Sequence, residues 1–310
     1  MASEDRSRHI GLDLGATNIK WAALERNGEA WSVLDRGQVP TRATDGADAV
    51  VARMAALAEQ ARRDWPGIGS VGVGVPGLFD AAAGATTFLP NLPPDWAGHA
   101  VAGPMRARLG LPVELINDAR AFGVAELRLG AGRGCLTMVG LALGTGVGGV
   151  VVVDGRVHFG HDGTGGESGH QTILPDGPPC TCGNRGCLEA LTRADAVAEA
   201  CGTSTADEAV RAAIGGDGRA RDGLAQIGRW LGIGIANLIV VLTPDRVVLG
   251  GGVAAAGELL LEPIRDEVRR RVHVTNLDAV EIVTGELGTF AGAVGAGVQG
   301  AETTARAVAS

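Results

Sequence analysis

Apolar positions recur in short runs along the whole chain, and their spacing separates strands from helices. Residues 9–14 read as a short strand stopped at Gly15. Residues 19–24 resume the pattern, and the Asn27-Gly28 turn leads to a third run at 31–34, so an antiparallel meander is predicted. Val50, Met54, Leu57 and Ala61 fall at helical spacing within 47–63, ahead of Pro66. Val71–Val75 reads as a buried strand, followed by a Pro-rich loop from Pro90 to Trp96. Next come a helix at 98–109, a strand at 113–116 and a helix from Ala119. Strands at 135–143 and 147–153 flank Gly144-Thr145-Gly146. The stretch 154–187 is Gly-, Pro- and Cys-rich and predicts no regular element. Helices are expected at 188–200, 206–214 and 219–242, a strand at 247–249, a helix near 256–271, a strand at 279–284 and a last helix at 289–300.

Residues 10–22 and 141–153 share one form: apolar strand, Gly/Thr turn, apolar strand. Two such hairpins, with strands alternating with helices around them, predict two α/β domains of one design. With no long linker between them, a cleft between packed domains is expected as the ligand site.

Composition narrows the field. Hydrophobic residues at 45% and charged residues at 20% mark a globular chain with a real core. Glycine fills 50 of 310 positions, more than twice its usual share of about 7%. The net charge of -8 and the ten aromatic residues argue against a nucleic-acid surface. Met1–His9 lacks the apolar core of a secretory signal, and the longest apolar run, around Leu231–Leu242, looks too short to span a bilayer. A cytoplasmic protein is expected, in which five cysteines stay reduced and a tight cluster of them means metal.

Four segments carry candidate chemistry. Asp13-Leu-Gly-Ala-Thr-Asn18 is either an ordinary hairpin or a phosphate turn, in which Gly15 exposes backbone N–H groups, Thr17 adds a hydroxyl and Asp13 requires a cation such as hydrated Mg²⁺. Leu143-Gly-Thr-Gly-Val-Gly-Gly149 offers a second such turn at Gly144, Thr145 and Gly146. Gly250, Gly251 and Gly252, after a strand, form either a plain strand–helix turn or a surface for a flat ring or ribose. Asn117-Asp118 ends a strand, where Asp118 is either a helix cap or a base for a hydroxyl proton.

His170, Cys180, Cys182 and Cys187 form H-x9-C-x-C-x4-C, a complete tetrahedral set for structural Zn²⁺. Glu167 and Glu189 flank it and either grip sugar hydroxyls or lie at the surface; Asn91 and Trp96 in the Pro-rich loop are read the same way. The other histidines show no ligand spacing, and Cys135 and Cys201 stand apart.

In this order, Asp13-Leu-Gly-Ala-Thr, Pro90-Asn-Leu-Pro, Ile116-Asn-Asp118, Leu143-Gly-Thr-Gly-Val-Gly, Gly166-Glu-Ser-Gly-His170 and Cys180-Thr-Cys-Gly-Asn-Arg-Gly-Cys-Leu-Glu189 resemble the ROK family of repressors, open reading frames and sugar kinases, over about residues 9–300. The resemblance implies two ribonuclease-H-like domains, as in hexokinase, actin and Hsp70, with one domain over 1–118 plus the terminal helix 289–310 and the larger over 119–288. It implies Asp118 as catalytic base, and Asn91, Asn117, Asp118, Glu167, His170 and Glu189 as sugar contacts. Asp13, Gly15, Thr17, Gly144, Thr145, Gly146 and Gly250–Gly252 would hold ATP with Mg²⁺, and the Cys3His set Zn²⁺.

The implied activity is phosphorylation of a hexose primary hydroxyl, glucose first, with another hexose, N-acetylmannosamine or a C7 cyclitol as alternatives. A silent sugar binder is disfavoured by the presence of both Asp13 and Asp118. A ROK repressor would need a winged helix of about 80 residues before Asp13. The resemblance also implies a homodimer or higher oligomer. Gly160-His-Asp-Gly163 and Thr192-Arg193 depart from the family's common forms, which leaves the sugar's identity open.

Overall fold

The computed structural model describes residues 6–89, 92–161 and 163–309. The chain forms two compact units, Met1–Leu129 with Phe290–Ser310, and Gly130–Thr289. In the first, the meander is β1 (Arg6–Leu14), β2 (Asn18–Asn27) and β3 (Ala30–Pro40), followed by α1 (Ala47–Asp64) and β4 (Ile68–Val75). A small hairpin, β5 (Leu78–Asp80) and β6 (Ala85–Phe88), precedes α2 (Ala102–Leu109), β7 (Val113–Asn117) and α3 (Asp118–Leu129).

The sheet order is β3-β2-β1-β4-β7, antiparallel through the meander and parallel from β1 onward. The period of two on β1 sends Ile10, Leu12 and Leu14 to one face, where they pack with Val50, Met54 and Met105. Helix α3, which the sequence assigned to the larger domain, belongs to this first unit. Trp96 is a core residue, 1% exposed, and so is no sugar contact.

The second unit repeats the plan. Its strands are β8 (Met138–Leu143), β9 (Val147–Val153), β10 (Arg156–Val157), β11 (Arg246–Gly250) and β12 (Glu281–Thr284), in the order β10-β9-β8-β11-β12. Between β10 and β12 lie α4 (Leu188–Thr192), α5 (Ala194–Cys201), α6 (Ala206–Ile214), α7 (Gly218–Leu242) and α8 (Glu258–Arg271). The single helix expected at 188–200 is broken at Arg193, which is extended at φ -68° and ψ 166°. With 25 residues, α7 is long and apolar enough to cross a membrane by length and composition only, and half of its most apolar window is buried. Its Leu224, Ile227, Leu231, Ile235 and Ile239 are buried in this unit's core with Leu141 and Leu249.

The last helix, α9 (Ala291–Ala309), returns to the first unit. Its Gly-rich stripe lets it lie almost in contact with the sheet. A Cβ on Gly11 would sit 1.7 Å from the Ala293 carbonyl oxygen, and one on Gly72 1.7 Å from that of Ala296. Gly11 and Asp13 share a strand face, so the same approach brings the start of α9 up to the Asp13 carboxylate.

Candidate active site

The first glycine turn closes between β1 and β2 with Gly15 N–H donating to the Asn18 carbonyl at 3.1 Å. Thr41, just after β3, fixes it from the side. Its N–H donates to the Thr17 carbonyl at 2.8 Å and its hydroxyl to the Gly15 carbonyl at 2.6 Å. Nothing in the sequence marked Thr41, because its role depends on β3 ending beside the turn.

Asp13 stands two residues before this turn, half-buried. A Cβ on Gly292 would lie 2.8 Å from its carboxylate, so the first turn of α9 leaves room for this side chain only as glycine. Among the described residues that carboxylate accepts no hydrogen bond. Burial raises its pKa to about 6, the nearby Asp118 carboxylate pushes the same way, and Lys20, its cross-strand partner, pulls back. A desolvated acid that accepts no hydrogen bond from a described residue, with a second carboxylate nearby, suits a cation held through its water shell. The donor set therefore fits Mg²⁺.

Asn117 and Asp118 join β7 to α3. The Asn117 Oδ1 accepts from the N–H groups of Ala119 at 3.1 Å and Arg120 at 3.2 Å, while its amide donates to the Gly77 carbonyl at 3.1 Å. Asn117 therefore serves as the helix cap. Asp118 Oδ1 accepts from Ala119 N–H at 2.8 Å, and its side chain is half-buried. Asn91 lies outside the described residues.

In the second unit, Gly144 N–H donates to the Gly146 carbonyl at 2.9 Å between paired Leu143 and Val147, which makes the second glycine turn. Gly251, at φ +87°, abuts it: a Cβ there would meet the Leu143 carbonyl oxygen at 2.1 Å. The structure thus places Gly250–Gly252 beside Gly144–Gly146.

The Cys-rich loop closes on itself. Cys180 N–H donates to the Asn184 carbonyl at 2.8 Å, and Gly186 N–H to that of Pro178 at 2.9 Å. Ligand atoms of His170, Cys180, Cys182 and Cys187 all lie within 4.8 Å of one another. Cys182 and Cys187 Sγ are 3.8 Å apart, and Cys180 Sγ lies 3.6 Å from His170 Nδ1. Zinc–ligand bonds of about 2.3 and 2.0 Å in a tetrahedron require separations of about 3.8 and 3.5 Å. The residues present therefore fit Zn²⁺. Burial pushes the Cys187 thiol up to about 12, followed by hydrogen bonding with Cys182 and Cys180, so a bare thiolate there is disfavoured.

Glu167 is exposed at the entry to the short 3-10 turn Ser168–His170. Glu189, on α4, accepts from Val147 N–H at 2.9 Å. Cys135 and Cys201 lie apart from this cluster, as read from the sequence, and both are buried, where the sequence left core and surface open.

A strand order of 3-2-1-4-5 in both units, each with a glycine turn in its leading hairpin, is a two-domain, actin-like α/β architecture. The ROK family profile matches residues 9–299, and the chain belongs to the ROK family. It is 33% identical to a glucokinase of Halalkalibacterium halodurans over 93% of each chain. The ROK hexokinase of Thermus thermophilus superposes with a TM-score of 0.85 at 35% identity, over 96% of this chain and 99% of that one. A ROK glucokinase of Streptomyces griseus, solved with glucose and AMPPNP, gives 0.78 at 29% identity over 96% and 100%.

Proposed function

We propose that the protein is an ATP-dependent hexose kinase that converts glucose to glucose 6-phosphate. The observation that carries this reading is the pair Asp13 and Asp118 in one unit beside a glycine turn, on a chain 33% identical to a glucokinase along nearly its whole length. The likeness to a glucokinase solved with glucose and AMPPNP supports both substrates.

In the proposed reaction Asp118 accepts the proton of the sugar's primary hydroxyl as the oxygen attacks the γ-phosphorus. The bond from that phosphorus to the β–γ bridging oxygen breaks, and ADP leaves with the electron pair. Backbone N–H groups of the turns at Gly15–Thr17 and Gly144–Gly146 take the phosphate charge. Gly250–Gly252 faces the adenosine. Asp13 would hold Mg²⁺ through its water shell, and the ion would neutralise phosphate charge.

Asn91, Asn117, Glu167, His170 and Glu189 hold the remaining sugar hydroxyls. His170, Cys180, Cys182 and Cys187 would hold Zn²⁺, a closed four-ligand set that stiffens the loop carrying Glu167 and His170. We place the enzyme in the cytoplasm, as a homodimer by analogy with the family.

A coupled ADP-release assay across hexoses, amino sugars and cyclitols tests the reading. Highest kcat/KM on glucose supports it. A higher value on another acceptor reassigns the substrate, and no turnover on any of them overturns the kinase assignment.

A further inference from the structure

The two oxygens of Glu189 face two different parts of the second unit. Oε2 accepts from Val147 N–H at 2.9 Å, the first residue after the second glycine turn. Oε1 lies 3.4 Å from the Thr181 hydroxyl and 3.8 Å from Cys180 Sγ, inside the metal knuckle. The backbone repeats the connection. Ala194 N–H donates to the Gly144 carbonyl at 2.9 Å, and Arg193 N–H to the Glu189 carbonyl at 2.9 Å.

Close packing leaves no slack in this block. A Cβ on Gly146 would meet Glu189 Oε2 at 2.5 Å, and one on Gly169, beside His170, would meet the Val147 carbonyl oxygen at 2.0 Å. The N–H of Val147 is thus held by Glu189, while its carbonyl lies against the loop that supplies His170.

We propose that Glu189 is a positioning residue that locks the second glycine turn to the metal knuckle, so that nucleotide affinity depends on the knuckle even when no sugar is bound. This rests on the reading of Gly144–Gly146 as a phosphate turn. A turn of three residues between strands has few internal bonds, and its N–H groups bind phosphate well only if they are already aimed. A carboxylate anchored at its far end in a metal-braced loop supplies that aim. A role confined to gripping sugar would leave nucleotide binding to the sugar-free protein untouched.

The test is calorimetric titration of the sugar-free full-length protein with AMPPNP and Mg²⁺. Glu189→Ala is expected to weaken binding about 10-fold, the loss of one charge-assisted hydrogen bond. Glu189→Gln keeps an acceptor oxygen for Val147 N–H and should stay within about 3-fold of the parent. Chelating the metal should weaken the parent by a factor similar to Glu189→Ala, and should add little in the Glu189→Ala background.

Thr145→Glu, at an exposed position, separates the two ideas by placing a negative charge in the turn. If Thr145→Glu leaves AMPPNP binding intact, the phosphate reading itself fails. If Thr145→Glu abolishes binding while Glu189→Ala does not change it, or if metal loss and Glu189→Ala act additively, the lock is overturned. Should Glu189→Ala fail to fold, Glu189→Asp, one methylene too short to span both partners, is read by the same criteria.

Discussion

The two glycine hairpins arise from equivalent strands of equivalently ordered sheets, yet each obtains its acid from a different direction. In the first unit the carboxylate belongs to the hairpin itself, Asp13, two residues before Gly15. In the second unit the position two residues before Gly144 is Ala142, and the carboxylate arrives from outside, as Glu189 of α4. The acids also meet opposite surroundings. Asp13 is desolvated and without a hydrogen-bond donor among the described residues, whereas Glu189 accepts from a backbone N–H. One sheet order therefore makes the turn twice, and the elements packed behind each turn decide whether its acid waits for a cation or braces the backbone.

The sharpest way to break this contrast is to remove charge from the first unit. Asp118→Asn should lower kcat on the order of 10³-fold while glucose affinity, measured by calorimetry, stays within a few-fold. Asp13→Asn should lower kcat on the order of 10²-fold and yet stabilise the ligand-free protein. The sign follows from the raised pKa. The acid form is the one the fold prefers, so ionisation costs nothing below about 3.8, costs progressively more as pH rises, and reaches its full cost above about 6. The gain in Tm from Asp13→Asn should therefore be larger at pH 8 than at pH 5. An equal gain at both would contradict the desolvated-acid account.

The second unit is sharpened by taking away its brace. A chelator should lower Tm by roughly 5–10 °C and reduce activity in parallel, with about one zinc released per chain. Absence of metal in the purified protein would contradict the Cys3His assignment. The smallest effect is a control outside both hairpins. Gly218, the first residue of α7, has open space where a Cβ would lie and no proline after it, so Gly218→Ala should stabilise by up to about 0.5–1 kcal/mol with kcat unchanged.

Much of this was legible in the chain. The paired hairpins and the order of strands and helices follow from period-two and helical spacing. The Cys3His set follows from ligand spacing alone. Less legible were features that depend on an element arriving from far along the sequence. Gly292 is one glycine among many until α9 folds back onto Asp13. Thr41 and the Glu189–Val147 bond likewise need the tertiary fold to acquire a partner. The hairpin β5–β6 was missed because its strands are three and four residues long, too short for a period to register. The first unit extends to 129 rather than 118 because α3, which begins at Asp118, packs with α9.

The central claim is that Asp118 takes the acceptor proton, and a crystal structure with glucose and AMPPNP measures it directly. The account predicts a carboxylate oxygen of Asp118 within about 2.6–3.2 Å of the glucose 6-hydroxyl. An Asp118 engaged only with the start of α3, with that hydroxyl bonded to another residue, would contradict it.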